Sequence, residues 1–300
     1  MNKYLKILLY LSLIFIVVFL YKNDLLVIPE INNIVFFLLS LLLVLTGFFF
    51  DVYAWEIILR QITKHITYKD AFISTGKYVL TKYIPGKVWV VLGKAGYIKE
   101  KYNAEFADIS SFSFYYIVIY ILTGGIVGSF ILYFIDEELF FIAIFSFVAA
   151  ILLFFFFYKK AVRIISRIIS YVLKKEIRLP IVKVKVTLNL LFYTGFIWML
   201  WSVAFYFLLL SVTTTEHLNI KSGFIFPLSS VIGIVVLIAP GGIGFREGFL
   251  AFGLAALGMS VKDAASVSVL SRLWFLTGEL LFFLSAIALE AIEKRKMENN

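Results

Sequence analysis

The chain has 300 residues, of which 62% are hydrophobic and 16% charged, and its mean hydropathy is +0.98. These values lie outside the range of soluble domains and indicate an integral membrane protein. The sequence has no cysteine, which excludes disulfides, cysteine-ligated zinc and thiol nucleophiles. The formal charge of +9 falls between the apolar runs, where it fits anionic phospholipid and membrane topology, so we expect no nucleic-acid partner.

The apolar runs predict an all-α polytopic membrane protein with about eight hydrophobic segments. The first run, 4–21, has a basic start but no small-residue cleavage site, so we interpret it as a retained span and not as a signal peptide. The remaining predicted elements, in chain order, are spans at 31–59, 109–135, 140–158, 186–211 and 264–292, with interrupted segments at 71–102 and 224–259. Together they predict a single transmembrane domain over residues 1–300.

Each interrupted segment contains a Pro-Gly pair. The later one reads Pro240-Gly241-Gly242-Ile243-Gly244-Phe245-Arg246-Glu247-Gly248, and the earlier one has Pro85-Gly86. Proline removes a backbone donor and glycine loosens the turn, so each helix should stop at the pair and restart beyond it. Such a break at membrane depth is tolerated only where protein or a water-filled cavity covers the backbone. Two arrangements remain open: each segment re-enters on the face it came from, or both cross completely.

Loop charge predicts the orientation. Lysine and arginine concentrate near the N terminus, at 60–101, at 159–185 and at the C terminus, whereas the loops near Asn23, Asp136 and Thr213 have almost none. We therefore expect a multi-pass protein of the cell (plasma) membrane with both termini cytoplasmic. The basic run 159–185 is expected to form a surface helix on anionic phospholipid.

The positions of the two Pro-Gly pairs also suggest an internal repeat. Pro85 and Pro240 lie 155 positions apart, and at that offset 31–59 falls on 186–214 and 109–135 falls on 264–290. The paired spans run in opposite directions under the predicted topology. This pattern predicts an inverted repeat with halves 1–158 and 159–300, whose interrupted helices meet near the midplane of the bilayer.

Charges inside the hydrophobic segments identify a candidate binding site. Arg246 and Glu247 follow the second break, where a restarted helix directs its amide dipoles toward an anion. Arg272 and Glu279 lie seven residues apart, on one face of the last span. These four residues could form one neutral buried network in which a lipid phosphate competes with a carboxylate for an arginine. The alternative is structural: a kink with Arg246 paired to an acid, and charges that only lock helix packing.

The first interrupted segment is more ambiguous. Lys82 and Lys87 flank the Pro-Gly pair and could attract a phosphate headgroup, with Trp89 as an interface anchor. The alternative is an amphipathic hairpin at the membrane surface with snorkelling lysines. Asp51 and Glu56 are interpreted as partners of the lysines in this segment. The candidate substrate-binding residues are therefore Lys82, Pro85, Gly86, Lys87, Trp89, Pro240, Gly241, Gly242, Gly244, Arg246, Glu247, Arg272 and Glu279.

The sequence contains no recognisable catalytic motif. Gly93-Lys94 is followed by Ala95 and lacks the preceding glycine of a phosphate loop, and His65 and His217 are isolated in loops. We expect no enzymatic activity, no cofactor and no metal.

The motif Tyr83-Ile84-Pro85-Gly86-Lys87-Val88-Trp89 with Gly93-Lys94, together with the stretch from Pro240 to Gly248, resembles the lysylphosphatidylglycerol synthase transmembrane-region family, also called flippase-like domain proteins. The resemblance covers nearly the whole chain. In the two-domain synthases of that family, the membrane part moves an aminoacylated lipid across the bilayer and a separate cytoplasmic domain makes it. The 300 residues include no such domain, so the resemblance implies lipid translocation without synthase activity.

Three functions are consistent with these features. The first is a lipid translocase for an anionic or glycan-linked lipid, with the headgroup bound at a midplane cationic site. The second is a membrane enzyme of glycolipid assembly that uses an acid in an outer loop, with Asp24, Glu30 or Asp136 as candidates. The third is an accessory membrane protein that recruits a cytoplasmic lipid-modifying enzyme through the 159–185 segment.

Overall fold

A computed structural model describes residues 29–84, 89–173, 179–212, 219–236 and 242–298, and this part of the chain is helical and contains no strand. The predicted span 4–21 and the candidate residues Pro85, Gly86, Lys87, Pro240 and Gly241 lie outside the described residues. The α-helices are α1 (Ile34–Leu59), α2 (Tyr68–Gly76), α3 (Trp89–Tyr102), α4 (Phe106–Ser129), α5 (Glu137–Leu173), α6 (Val184–Val212), α7 (Ile225–Val235), α8 (Phe245–Ala256) and α9 (Val261–Glu298), and short 3₁₀ turns cover Val79–Tyr83, Leu132–Phe134 and Ile220–Phe224.

Within the described residues, five helices are long and apolar enough to cross a bilayer: α1, α4, α5, α6 and α9. They confirm the predicted all-α polytopic fold. One predicted helix boundary was wrong. The charge pattern had indicated that the apolar span ends at 158 and that a separate basic surface helix follows. The structure continues the same helix to Leu173, so Lys159 and Arg163 lie on an extension of α5. A charged stretch after an apolar run need not end a helix, since lysine and arginine are good helix formers.

Helices α1 and α6 pack along one another in antiparallel directions. The start of α1 meets the end of α6, where the Asn32 backbone N–H donates to the Ser211 carbonyl at 2.8 Å. At the other end, the Lys183 N–H donates to Gln61 Oε1 at 3.0 Å, and Trp201 Nε1 donates to the Val44 carbonyl between these two points. The two helices are also mates at the 155-residue offset, so their opposite directions are those that an inverted repeat requires.

The first interrupted segment, α2 to α3, is a re-entrant hairpin that we call hairpin A. Thr67 begins α2 with a capping box, in which its side chain and that of Asp70 each bond to the other's backbone N–H. At the far end of the hairpin, Lys101 forms an ion pair with Asp70, and the Tyr102 hydroxyl donates to the same carboxylate. Both ends therefore lie on one side of the protein, beside the end of α1. We call this side the basic face.

The second interrupted segment, α7 to α8, is a re-entrant hairpin on the opposite face, which we call hairpin B. Its arms run antiparallel, because a Cβ on Gly253 would overlap the Ile225 side chain and one on Gly242 would overlap the Gly233 backbone. Gly242 and Gly244 adopt φ values of +71° and +85°, which glycine tolerates best. Hairpin B follows the end of α6, so it enters from the face opposite hairpin A. The structure thus decides between the two arrangements that the sequence left open.

Each hairpin packs against helices from both predicted halves of the chain. Hairpin A lies against α1, α4 and α9, and hairpin B lies against α6, α9 and α4. Gly128 allows a close approach to hairpin B, since a Cβ there would meet the Leu228 backbone nitrogen. The helix positions follow the 155-residue offset closely, with α2 and α3 matching α7 and α8. The division into halves at 1–158 and 159–300 stays a prediction, because residues 1–28 are not described.

Candidate functional site

A cavity of about 570 Å³ lies between the two hairpins. Its wall comes from α1, hairpin A and α4 on one side and from α6, hairpin B and α9 on the other. A cavity of this size lies in the range of small-molecule binding sites. Most of its lining is apolar or aromatic, and its charged members are Asp51, Lys82, Lys94 and Arg246.

Arg246 is the least compensated of these charges. It lies in the first turn of α8, where the missing side chain of Gly233 leaves room for its stem, and it is only 8% exposed. The guanidinium carbon lies 4.9 Å from the centre of the Phe226 ring and 5.7 Å from that of Phe275. Nε and Nη2 are buried and have no hydrogen-bond partner among the described residues. These two donors form one edge of the guanidinium, which is the edge that binds a phosphate or carboxylate with two parallel hydrogen bonds.

Lys82 and Glu279 form an ion pair between the tip region of hairpin A and α9. Glu279 is fully buried, and it also accepts a hydrogen bond of 2.9 Å from the Tyr83 hydroxyl. Lys82 lines the cavity, and its ammonium lies 5.4 Å from the centre of the Phe275 ring, which Arg246 also contacts. Fourteen residues, or about 21 Å of helix, separate Glu279 from Glu293 at the basic face. The pair therefore lies deep within the bilayer.

Glu247 and Arg272 form the second ion pair, at 2.6 Å. The other carboxylate oxygen of Glu247 accepts a hydrogen bond of 2.8 Å from the Gly244 backbone N–H, so the side chain caps the start of α8. Arg272 also lies over the Tyr83 ring, at 5.4 Å from its centre. Glu247 and Arg272 hold the start of α8 against α9, and in this way they position Arg246.

The predicted four-charge network is thus two separate ion pairs beside a buried arginine. Among the described candidates, Lys82 and Arg246 line the cavity, whereas Glu247, Arg272 and Glu279 hold the surrounding helices and Gly242 and Gly244 form the turn before α8. Trp89 begins α3 and is partly buried without lining the cavity.

The structure gives defined contacts to three of the acids named above. Glu56 pairs with Arg60, four residues along α1, and not with a hairpin lysine. Asp51 lines the cavity and accepts a hydrogen bond of 2.5 Å from the Tyr116 hydroxyl. Asp136, a candidate catalytic acid, caps the start of α5 by accepting from the Glu138 and Leu139 backbone N–H groups. This contact accounts for an aspartate at the position before the helix.

Lys94 and Tyr83 belong to the site but were absent from the predicted set. Lys94 is 8% exposed and lines the cavity, and Tyr83 connects both ion pairs. The signal for Lys94 was its place in the stretch Val88 to Ile98, which has no other charged residue, since an ionisable residue within membrane-embedded sequence is functional by default.

The fold and the cavity define a polytopic α-helical membrane protein with two re-entrant hairpins around a cationic hollow. Residues 4–277 match the family model described as Lysylphosphatidylglycerol synthase TM region, and the chain belongs to this family. No curated protein and no solved structure gave a significant match. Membrane residence and contact with lipid follow from the family and from the apolar helices. The plasma membrane, the cytoplasmic termini, binding of anionic phospholipid at the basic loops and a cytoplasmic partner enzyme stay predictions.

Proposed function

We propose that the protein is a lipid translocase that draws the phosphate-containing headgroup of an anionic or glycan-linked lipid into the cavity and binds it at Arg246. The observation that carries this proposal is the pair of donors on Arg246 that no described residue accepts from, buried next to a cavity between the hairpins. A buried donor without a partner is costly, so a protein that keeps two of them gains something from a ligand.

The charges near the cavity favour a single negative charge on the ligand. Lys82 is compensated by Glu279, and Lys94 has Asp51 as the other charged residue at its end of the cavity. Arg246 has no carboxylate hydrogen-bonded to its two buried donors. Among the described lining residues and their direct partners, one positive charge is therefore left over. A phosphodiester carries one negative charge and would neutralise it.

The cavity wall favours a lipid over a soluble anion. Phe114 on α4 and Val235 on α7 are apolar, line the cavity and are 54% and 56% exposed. We therefore place the opening of the cavity toward the bilayer at these two side chains. Acyl chains can remain in the hydrocarbon there while the headgroup enters, which avoids the cost of moving the chains into a polar space.

The test is transfer of labelled lipid between leaflets. The purified protein is reconstituted into phosphatidylcholine vesicles containing a trace of fluorescent phosphatidylglycerol, and dithionite bleaches the label that reaches the outer leaflet. We expect transfer by the wild type and a loss of at least about tenfold in Arg246→Gln, because a charge-assisted bidentate contact is removed. A second vesicle set with a labelled polyprenyl-phosphate sugar tests the glycan-linked class.

The matched control is Arg163→Gln, which removes an exposed arginine on α5. It should leave transfer unchanged, and thermal unfolding should show that both variants are folded. Equal transfer by the Arg246→Gln variant and the wild type, or no transfer of either lipid class by the wild type, would contradict the proposal.

A further inference from the structure

Lys94 is a second buried cation that borders the same cavity. It lies on α3 of hairpin A, is 8% exposed, and its ammonium lies 5.0 Å from the centre of the Trp55 ring. No described residue accepts a hydrogen bond from this ammonium. The nearby carboxylate of Asp51 accepts from the Tyr116 hydroxyl instead. Lys94 therefore keeps donors for a ligand, as Arg246 does.

The two cations come from different hairpins, one from each face of the bilayer. Lys94 lies seven residues before Lys101, which is at the basic face, so about 10 Å of helix separates it from that face. Arg246 lies ten residues before Ala256 at the end of hairpin B, or about 15 Å from the opposite face. In a hydrocarbon layer of about 30 Å, Arg246 is near the middle and Lys94 is nearer the basic face.

Aromatic rings line both positions. Trp55 lies at the Lys94 end, and Phe226 and Phe275 lie at the Arg246 end. A cation held over aromatic rings is attracted to them without losing its hydrogen-bond donors, so it can be buried and still bind an anion. The same chemistry is thus present twice, at two depths, within one cavity.

We propose that Lys94 is a second phosphate-binding position, and that the headgroup of a phosphodiester lipid moves between Lys94 on hairpin A and Arg246 on hairpin B as it crosses the bilayer. This inference rests on the proposed function. In this proposal, Lys94 binds the headgroup of a lipid that enters from, or leaves to, the leaflet at the basic face, and Arg246 binds the headgroup near the midplane.

The absence of native cysteine allows a chemical test. Lys94→Cys removes the ammonium, and aminoethyl methanethiosulfonate then restores a positive charge through a mixed disulfide of similar length. Ethyl methanethiosulfonate adds the same bulk without the charge. The control is Lys99→Cys, at an exposed position on the same helix. Two readouts are taken: lipid transfer in vesicles, and binding of dioctanoyl phosphatidylglycerol to the protein in phosphatidylcholine nanodiscs, with inorganic phosphate as a second probe.

We expect Lys94→Cys to lose at least about tenfold in both transfer and binding, aminoethylation to restore both, and ethylation to restore neither. The Lys99→Cys variant should resemble the wild type throughout. Binding and transfer equal to the wild type in Lys94→Cys would overturn the proposal, and so would equal restoration by the two reagents, since the charge would then be irrelevant.

Two further outcomes separate this inference from the proposed function. If the wild type binds the short-chain lipid through Lys94 but transfers none, the translocase proposal and the proposed movement between the two positions are overturned. Lys94 is then a lipid-binding residue without a role in transfer. If inorganic phosphate binds as tightly as the lipid and depends equally on Lys94, the position serves a free anion and the lipid assignment is overturned.

Discussion

Replacing Arg246 with methionine should make the protein more stable, although it removes the proposed binding group. Two buried guanidinium donors of Arg246 have no partner in the part of the chain that the structure describes. Leaving a buried donor unpaired costs about 1–3 kcal/mol, or about 4 kcal/mol for two. The contacts with Phe226 and Phe275 offset part of this cost, at about 1–2 kcal/mol per ring when desolvated. Methionine fills similar space without the unpaired donors and without the cation–ring attraction, so we expect a net stabilisation of about 1 kcal/mol.

The assay is thermal unfolding in detergent, followed by the emission of the five tryptophans. At about 2 °C per kcal/mol for a chain of this length, Arg246→Met should raise Tm by about 2 °C. The control is Leu250→Ala, one turn further along α8, where a fully buried leucine is truncated. It should lower stability by about 2–5 kcal/mol. A fall in Tm for Arg246→Met as large as that of the control would refute the reasoning, because the guanidinium would then have stabilising partners.

Three further predictions concern the surrounding structure. Gly242→Ala should lower Tm by several degrees, because φ is +71° and a Cβ would overlap Gly233. The control Gly248→Ala lies in open space within α8 and should leave Tm unchanged or slightly raised. Glu279→Ala should lower the unfolding free energy by about 2–3 kcal/mol. The double variant Lys82→Met/Glu279→Met should lower it less, because the single change leaves the lysine unpaired. A larger loss in the double variant would contradict the ion-pair assignment. For Asp70, burial alone would raise the pKa of the carboxyl, but hydrogen bonds from Lys101, Thr67 and Tyr102 hold it below the ordinary value. The stabilisation by the ionised Asp70 carboxylate is therefore present above the ordinary pKa and is lost as the pH falls through the lowered pKa of the folded protein. Asp70→Asn should flatten the acid side of a plot of unfolding free energy against pH. An unchanged acid side would exclude this contribution.

The positions of the hairpins could be predicted because Pro-Gly pairs interrupt helices for local reasons. The missing N–H of proline and the freedom of glycine act within a few residues, so the breaks at 85–86 and 240–241 are visible in the sequence. The common offset of 155 residues then placed α2 and α3 opposite α7 and α8. Whether a hairpin re-enters or crosses depends instead on contacts such as Lys101 with Asp70, which join positions distant in the chain.

Which charges pair with which could not be predicted, because the partners come from different hairpins and helices. Lys82 and Glu279 are almost 200 positions apart, and only the packing of hairpin A against α9 brings them together. Glu247 was a candidate ligand, yet the geometry at Gly244 makes its carboxylate a helix cap. The burial of Lys94 likewise depends on how α3 packs against α1 and α4. Intramembrane charge therefore indicated where the site lies, but the role of each charge required the three-dimensional contacts.

The most direct test of the account is a cryo-electron microscopy map of the protein in nanodiscs containing phosphatidylglycerol. The account predicts a lipid phosphate within hydrogen-bond distance of Nε and Nη2 of Arg246, with the acyl chains leaving the cavity beside Phe114 and Val235. A map in which the Arg246 guanidinium pairs with a carboxylate of the protein and side chains fill the cavity would contradict it.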